Sequence, residues 1–248
     1  MPEQKAGPTA PDRLISKSDG RAYWENTEGD VNGMLGGIPA QDGFSSISRI
    51  DLQGSRTFLA RLGIGTKNDR RTLDSVLEGG AGIGRVTEGL LLRVSECVDI
   101  IEPISKFTTS LQTKAGIRTI YNIGLEDWQP SPGRQYDLIW LQWCLGHLTD
   151  EQLLLFFIAS KAALTPITGL IVVKENINPG GTDLFDDTDS SVTRQDSSFL
   201  RIFEEAGFVV VKSELQRGLP ETSTQGLFPV KMYAVRPKDR ETQESGPF

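Results

Sequence analysis

The sequence predicts an α/β fold: a doubly wound, mainly parallel β-sheet that ends in an antiparallel edge hairpin. Apolar strand-like runs alternate with amphipathic helical runs, a glycine-rich turn follows the first strand, and the last two strands have no helix between them. Strands separated by helices of about 10–15 residues indicate βαβ crossovers and parallel pairing. The two closing strands, at about 207–214 and 228–235, therefore form the hairpin at one edge.

Seven runs are predicted to form strands. Two of them, 136–142 and 169–174, are apolar almost throughout, which is expected of central strands because both of their faces are covered. The strand-like runs are TLDSVLEG, VDIIEP, RTIYNIG, YDLIWLQWC, GLIVVKEN, FVVVKSEL and PVKMYAVRP. The helical runs between them are RVTEGLLLRV, SKFTTSLQTKA, DEQLLLFFIASKAALT and SSFLRIFEEAG.

Both ends of the chain are rich in Pro, Gly, Ser and charged residues, which predicts flexible tails at 1–20 and 237–248. One domain then spans 21–236. Its first part, 21–65, holds a short aromatic helix, a glycine-rich turn and a longer amphipathic helix, all before the first strand. We expect this segment to form a helical lid over the ligand edge of the sheet and to exclude water.

Charge and composition exclude several classes of function. The net charge is −7, with 26 Lys and Arg against 33 Asp and Glu, which argues against binding a nucleic-acid backbone and favours a cationic partner. Two cysteines, Cys97 and Cys144, provide neither a disulfide framework nor a Cys-rich zinc site, so no metal is predicted. The chain shows neither a long apolar span nor a secretory signal, so we expect no membrane association and a cytoplasmic location, with the nucleus not distinguished.

The turn LEGGAGIGRV, at 77–86, is the main candidate for ligand binding. It is not a phosphate-binding P-loop, because Arg85 and Val86 follow Gly84 where lysine and a hydroxyl residue are needed. The dinucleotide-binding motif is GxGxxG, whereas Gly80-x-Gly82-x-Gly84 has one residue fewer between its last two glycines. This difference weakens the interpretation as a dinucleotide-binding turn. A GxGxG turn with an acid at the end of the next strand suits a nucleoside, and Glu102 supplies that acid.

The segments LEGGAGIGR and DIIEP together resemble the first two motifs of the seven-stranded methyltransferases that use S-adenosylmethionine (SAM). That resemblance implies a Rossmann-like sheet, SAM as cofactor and S-adenosylhomocysteine (SAH) as product. After the fourth strand the chain reads IWLQWCLGHLTDEQ, without the [DN]-P-P-[YF] element of many enzymes that methylate planar amide or base nitrogens. A nucleic-acid substrate is therefore disfavoured.

Two features beyond the glycine turn have more than one reading. The sole histidine, His147, is either structural or a proton acceptor near neutral pH. The acidic stretch VVKENINPGGTDLFDDTDSSVTRQD is either a solvated surface or a pocket for a group with two positive charges.

A narrower resemblance rests on several segments taken together: YWENTEGDVNGMLGG, GGAGIGR, IWLQWCLGHLTD, VVKEN and DDTDSSVTR. From about Tyr23 to Pro237 the chain resembles the protein α-N-terminal methyltransferase family. Members of that family methylate the free amino terminus of proteins that begin X-Pro-Lys once the initiator methionine is gone. The implied partners are protein substrates with such a terminus, for example basic proteins of the ribosomal type.

The resemblance also implies roles for single residues. Asp189 is the expected general base, with His147 as a second base or positioner, and Asn176 is expected to hold the amine. The substrate residues are Trp24, Leu35, Trp143, Asp186 and Ser191. The cofactor residues are Gly80, Gly82, Arg85, Glu102, Leu125, Glu126 and Gln142. Two positions differ from the family's usual sequence pattern: Glu102 stands where Asp is frequent, and Glu126 stands where Gln is common.

Two alternatives stay open from the sequence. One is a SAM-dependent methyltransferase of the same fold that acts on lysine side chains or on a small-molecule amine. The other is a non-catalytic SAM-binding partner protein, against which the intact set of Asp189, His147 and Asn176 argues.

Overall fold

The computed structural model describes residues 9–219 and 227–238 of the 248-residue chain. The α-helices are α1 (Lys17–Asn26), α2 (Val31–Met34), α3 (Ile47–Arg61), α4 (Arg85–Gly89), α5 (Ser105–Thr108), α6 (Asp150–Ser160) and α7 (Asp196–Glu205). The strands are β1 (Leu73–Gly79), β2 (Ser95–Ile101), β3 (Ile117–Tyr121), β4 (Leu138–Gln142), β5 (Leu170–Asn176), β6 (Leu184–Asp186), β7 (Ser191–Thr193), β8 (Phe208–Leu215) and β9 (Val230–Pro237).

The predicted fold class is confirmed. The main sheet has seven strands in the order β3-β2-β1-β4-β5-β9-β8, and β1 to β5 pair in parallel. β9 lies antiparallel between β5 and β8, so the closing pair forms the predicted hairpin and β8 is the edge strand. The strand order reverses between β1 and β4, and ligands of doubly wound sheets bind at the carboxyl ends of strands beside such a reversal.

The core lies in two apolar layers, one on each face of the sheet. Along β4, Ile139 and Leu141 belong to one cluster, whereas Leu138 and Trp140 belong to the other. The first layer is completed by side chains of α6 and α7, and the second by side chains of α3 and α4. Alternation of side chains between faces explains why β4 is buried at every position. The sheet is therefore a rigid platform for the loops at its edge.

The amino-terminal part differs from the predicted tail at 1–20. Residues 1–8 lie outside the described part, but Pro11–Leu14 form a 3-10 helix and α1 begins at Lys17. Ser16 caps α1, because its hydroxyl accepts from the amide of Asp19. The amide of Ser16 also donates to Ser190 Oγ at 2.8 Å. The folded chain thus begins before residue 21. Of the predicted tail at 237–248, residues 239–248 lie outside the described part.

Two predicted helices are shorter than their sequence patterns. α4 ends at Gly89, because glycine is a poor helix former. α5 ends at Thr108, because the hydroxyls of Thr108 and Thr109 both bind the carbonyl of Ser105 and compete with helical pairing. Short 3-10 helices continue the chain after both ends.

The acidic stretch after β5 contains a small hairpin that the sequence did not predict. Its two three-residue strands, β6 and β7, pair with Asp186 opposite Ser191. Asp186 Oδ1 accepts from the amide of Thr188 at 2.9 Å, which is an Asx turn. This turn folds the segment back on itself and places Asp189 at its tip. Within the described ranges no helix is both long and apolar enough to cross a bilayer.

Candidate active site

A cavity opens at the carboxyl ends of β1, β2 and β4, beneath the lid helices. All of the predicted cofactor residues line it: Gly80, Gly82, Arg85, Glu102, Leu125, Glu126 and Gln142. Three other predicted residues, Trp24, Trp143 and His147, line it too. The structure therefore brings together residues from both halves of the chain at the point where the strand order reverses.

The glycine turn forms a cradle on the cavity floor. Gly80 and Gly82 have φ angles of +66° and +54°, in the left-handed region that favours glycine. A side chain at Gly80 would collide with Cys144, and one at Gly82 would collide with Met34. Backbone conformation thus favours glycine at both positions, and space also requires it at Gly80; the bare backbone leaves room for a ligand.

Glu102 follows β2 and faces the same cradle. Its carboxylate accepts from the amide of Gly82 at 2.8 Å and from the amide of Ile104 at 2.9 Å. Burial raises the pKa of Glu102, although both backbone amides act in the opposite direction. A buried carboxylate held against a glycine turn is suited to accept hydrogen bonds from a pair of ribose hydroxyls.

The adenine side of the cavity is expected at Leu125 and Glu126, which follow β3 in a 3-10 helix. Leu125 is buried and supplies an apolar surface. Glu126 is tied to the lid, because Lys17 Nζ lies 2.7 Å and Arg21 Nη2 lies 3.6 Å from its Oε1. The lid helix α1 is therefore anchored beside the cofactor cavity by charge.

Arg85 and Gln142 form the wall toward α3. Arg85 Nη1 donates to Asp51 Oδ2 at 2.7 Å, and Gln142 Nε2 donates to Asp51 Oδ1 at 3.0 Å. The guanidinium also lies 5.5 Å from the ring centre of Trp143.

Asp51 was not identified from the sequence. A signal existed, because it lies four residues after the buried Ile47 and four before the buried Ser55 on one face of α3.

His147 is joined to the lid through Trp24. The indole Nε1 of Trp24 donates to His147 Nε2 at 2.9 Å. Burial lowers the pKa of His147, against the opposing charge of Asp189, so the imidazole is neutral at neutral pH. Gly20 of α1 allows this close approach, because a side chain there would press on His147 and on the carbonyl of Asp189.

Trp143 occupies a strained position directly after β4. Its φ is +53°, which is rare for a bulky residue, and its amide donates to the carbonyl of Lys174 at 3.2 Å. It packs against the small lid cluster that contains Leu35, Phe44 and Ile47. The indole Nε1 is buried without a hydrogen-bond partner among the described residues. Strain and an orphaned donor together are typical of a binding position.

Five predicted residues do not line the cavity: Leu35, which belongs to the lid cluster, and Asn176, Asp186, Asp189 and Ser191. Asp189 is the neighbour of the lining residue Ser190, and its Oδ1 is buried without a partner in the described part of the chain. Asn176 is the half-buried last residue of β5. Asp186, which is exposed, and Ser191 face each other across the small hairpin. The hairpin and its turn thus contain three of the predicted polar residues: Asp186, Asp189 and Ser191.

The structure assigns structural roles to two carboxylates of the acidic stretch. Asp183 anchors the start of α7 by accepting from the amide of Gln195 and the hydroxyl of Ser198. Glu175 is buried in β5, and its Oε1 accepts from the amides of Cys144 and Leu145, each at 2.9 Å. Burial raises the pKa of Glu175 to about 7. Glu175 therefore holds the loop between Trp143 and His147.

The fold and the site define a class of protein. A seven-stranded sheet with one antiparallel strand next to its edge, a glycine cradle after β1 and an acid after β2 is the architecture of the SAM-dependent methyltransferases. The residues fit that cofactor: the cradle is free of side chains, Glu102 is a buried acceptor, and Arg85 supplies a cation. Within the described ranges no group of metal-ligating side chains was found.

Comparison with known proteins gives the family. A family model described as AdoMet dependent proline di-methyltransferase matches residues 12–236, and the chain belongs to this family. A Schizosaccharomyces pombe protein named alpha N-terminal protein methyltransferase 1 is 43% identical over 224 residues, which cover 89% of this chain and 95% of that protein. A Danio rerio protein named N-terminal Xaa-Pro-Lys N-methyltransferase 1 is 38% identical and covers 85% of this chain and 92% of its own length.

Solved structures of methyltransferases are also similar to this chain. A SAM-dependent methyltransferase from Leishmania major aligns with a TM-score of 0.75 and 34% identity over 88% of this chain and 82% of that one. The N-methyltransferase NodS from Bradyrhizobium japonicum, solved with SAH, aligns with a TM-score of 0.61 and 14% identity over 89% of this chain and all of that one, which shows the fold alone. The predicted enzyme class and cofactor, SAM, are confirmed.

Proposed function

We propose that this protein transfers methyl groups from SAM to the free α-amino group of proteins that begin X-Pro-Lys. The names of its relatives support the substrate, since the Danio rerio protein is named for Xaa-Pro-Lys N-methylation. The observation that carries the proposal is the position of Asp189. Its Oδ1 is buried without a partner among the described residues, and its charge acts on His147, which lines the cavity.

Different residues of the cavity bind different parts of SAM. The backbone of Gly80 and Gly82 approaches the amino-acid part, Arg85 binds its carboxylate, and Glu102 binds the ribose hydroxyls. Leu125, Glu126 and Gln142 complete the cavity around the rest. When bound there, SAM supplies an electrophilic methyl group on a sulfonium sulfur.

The amine must lose a proton before it can accept a methyl group. A free α-amine has a pKa of about 7.7–8.0, so a base of modest strength is sufficient. Asp189 takes this proton, because its orphaned oxygen is a ready acceptor. His147, neutral at neutral pH, acts as second base or positioner. Asn176 accepts a hydrogen bond from the amine through its side-chain oxygen and orients the nitrogen lone pair.

The rest of the substrate is recognised around the rim. Trp143 and Leu35, which belong to one packed cluster, form the apolar wall for the second-position proline. Asp186 and Ser191 accept hydrogen bonds from the ammonium of the third-position lysine. Trp24 closes the lid over the peptide. The net charge of −7 favours approach of basic substrates, for example proteins of the ribosomal type.

A pair of peptides tests the proposal. The rate of SAH release is measured with a free-amine Ser-Pro-Lys peptide and with its N-acetylated twin, which keeps the lysine side chain but has no α-amine. Release with the free peptide alone is the expected result. Equal rates with both peptides would assign the reaction to the lysine side chain, and no release with either would reject a peptide substrate of this kind.

A further inference from the structure

A buried polar network joins the lid helix α3 to the central sheet. Asp51 of α3 is 1% exposed and Lys174 of β5 is fully buried. Lys174 Nζ lies 2.5 Å from Asp51 Oδ1. Removing two charges from water is costly unless each is well paired, so a buried ion pair is by itself weak evidence of a contribution to stability.

The carboxylate of Asp51 binds two side chains of the cofactor cavity. Arg85 Nη1 donates to its Oδ2 at 2.7 Å, and Gln142 Nε2 lies 3.0 Å from Oδ1 and 3.1 Å from Oδ2. Arg85 begins α4 and Gln142 ends β4, so these two side chains come from separate elements. One carboxylate on the lid therefore orients both.

Lys174 supports Asp51 from the side away from the cavity. Its ammonium donates to the carbonyl of Asp51 at 3.0 Å, to Ser55 Oγ at 2.9 Å and to Gln216 Oε1 at 2.9 Å. Burial alone would raise the pKa of Asp51, but the charges of Lys174 and Arg85 outweigh it and hold that pKa below its ordinary value. Asp51 thus stays ionised inside the protein.

We propose that Asp51 is a positioning residue for the cofactor: it fixes Arg85 and Gln142 on the cavity wall and so makes SAM affinity depend on the docking of α3. The inference rests on the proposed cofactor contacts of these two residues. Asp51 itself does not line the cavity.

The charges of the network also suit a carboxylate of the cofactor. One carboxylate and two cations give a net charge of +1 for the trio of Asp51, Lys174 and Arg85. Because Arg85 presents that charge to the cavity, it complements a carboxylate of the cofactor.

Calorimetric binding of SAH tests the proposal without peptide or turnover. In Lys174→Met the acceptor for Arg85 and Gln142 remains, but Asp51 loses its supporting ammonium and the trio loses its net positive charge, so we expect SAH affinity to fall less than in the double variant below. In the charge-balanced Asp51→Ala/Lys174→Met variant both side chains lose their acceptor. We expect the Kd for SAH to rise about tenfold or more, which corresponds to about 1.4 kcal/mol or more.

A matched control separates positioning from stability. Asp99 is fully buried and accepts from Arg118 and Tyr136, but it does not line the cavity. Asp99→Asn is therefore expected to lower the melting temperature and to leave SAH affinity unchanged. Asp51→Asn keeps the shape and one acceptor, and it is expected to weaken SAH less than the double variant does.

Three results would overturn the inference: unchanged SAH affinity in the folded double variant, unchanged affinity in folded Asp51→Asn, or equal weakening in Asp99→Asn. Folding of each variant is checked by circular dichroism. The proposed function is tested separately, because a protein that binds SAH through this network but methylates no peptide would reject the substrate and leave the role of Asp51 standing.

Discussion

The indole N–H of Trp24 donates to Nε2 of His147 over 2.9 Å, which connects the lid helix directly to the sole histidine of the chain. A donor at Nε2 stabilises the neutral imidazole, so the position of α1 and the proton affinity of His147 are linked.

Replacing Trp24 by phenylalanine removes this donor and keeps an aromatic ring. The pKa of His147 is then expected to rise, and the acidic limb of the pH profile of kcat/KM to move upward by roughly half a unit to one unit. Tyr23→Phe serves as control, because Tyr23 packs edge-on against Trp24 without a hydrogen bond to His147. An unshifted limb in Trp24→Phe would contradict the coupling.

Replacing Asp189 by asparagine removes the proposed base and preserves its shape. We expect kcat to fall by about 10²–10⁴-fold, while calorimetric affinity for SAM stays unchanged, because Asp189 lies outside the cofactor cradle. Asp187→Asn, at an exposed carboxylate of the same turn, is the matched control. A parallel loss of SAM binding in Asp189→Asn would argue against a role as base.

Replacing Asp186 by alanine tests recognition of the third-position lysine. The ratio of kcat/KM for Ser-Pro-Lys over Ser-Pro-Ala peptides is expected to fall by about tenfold, as for loss of a hydrogen bond to a charged group. Asp187→Ala changes the neighbouring carboxylate and should keep the preference. If Asp186→Ala still prefers lysine to the same extent, another residue recognises the ammonium.

Glu175 makes stability depend on pH. Burial raises its pKa from 4.5 to about 7 in the folded protein. The stability that its protonated form contributes is fully present below about pH 4.5 and is lost as pH rises toward 7. Glu175→Gln keeps an acceptor for the amides of Cys144 and Leu145 but cannot ionise. Relative to the unaltered protein, its unfolding free energy should therefore increase between pH 4.5 and 7, by up to about 3 kcal/mol.

Urea unfolding at several pH values measures this difference. Glu151→Gln, an exposed glutamate of α6, is the control and should show no such trend. A Glu175→Gln variant whose stability follows that of the unaltered protein at every pH would mean that Glu175 does not titrate in this range.

The sheet was predictable because a strand buried on both faces has a continuous apolar run, which is a local feature of the sequence. The apolar runs of β4 and β5, and the lack of a helical sequence pattern between the last two strand-like runs, are visible in short windows of sequence. The glycine turn was recognisable for a similar reason, since Gly80 and Gly82 lie within one turn and Glu102 directly follows the next strand.

The features that escaped prediction depend on contacts between distant residues. Asp51 binds Arg85 and Lys174, which are 34 and 123 residues away in sequence. The order of residues 11–14 likewise depends on tertiary contacts, such as the hydrogen bond from the amide of Asp150 to Asp12. The β6–β7 hairpin has strands of three residues, too short for alternation of polar and apolar side chains to be recognised.

Fragmentation mass spectrometry of a methylated Ser-Pro-Lys peptide tests the central claim most directly, because it locates each added methyl group. The peptide is incubated with the protein and SAM and then sequenced from both ends. The account predicts that every added methyl group resides on the amino-terminal residue. Methyl groups on the lysine side chain would contradict it.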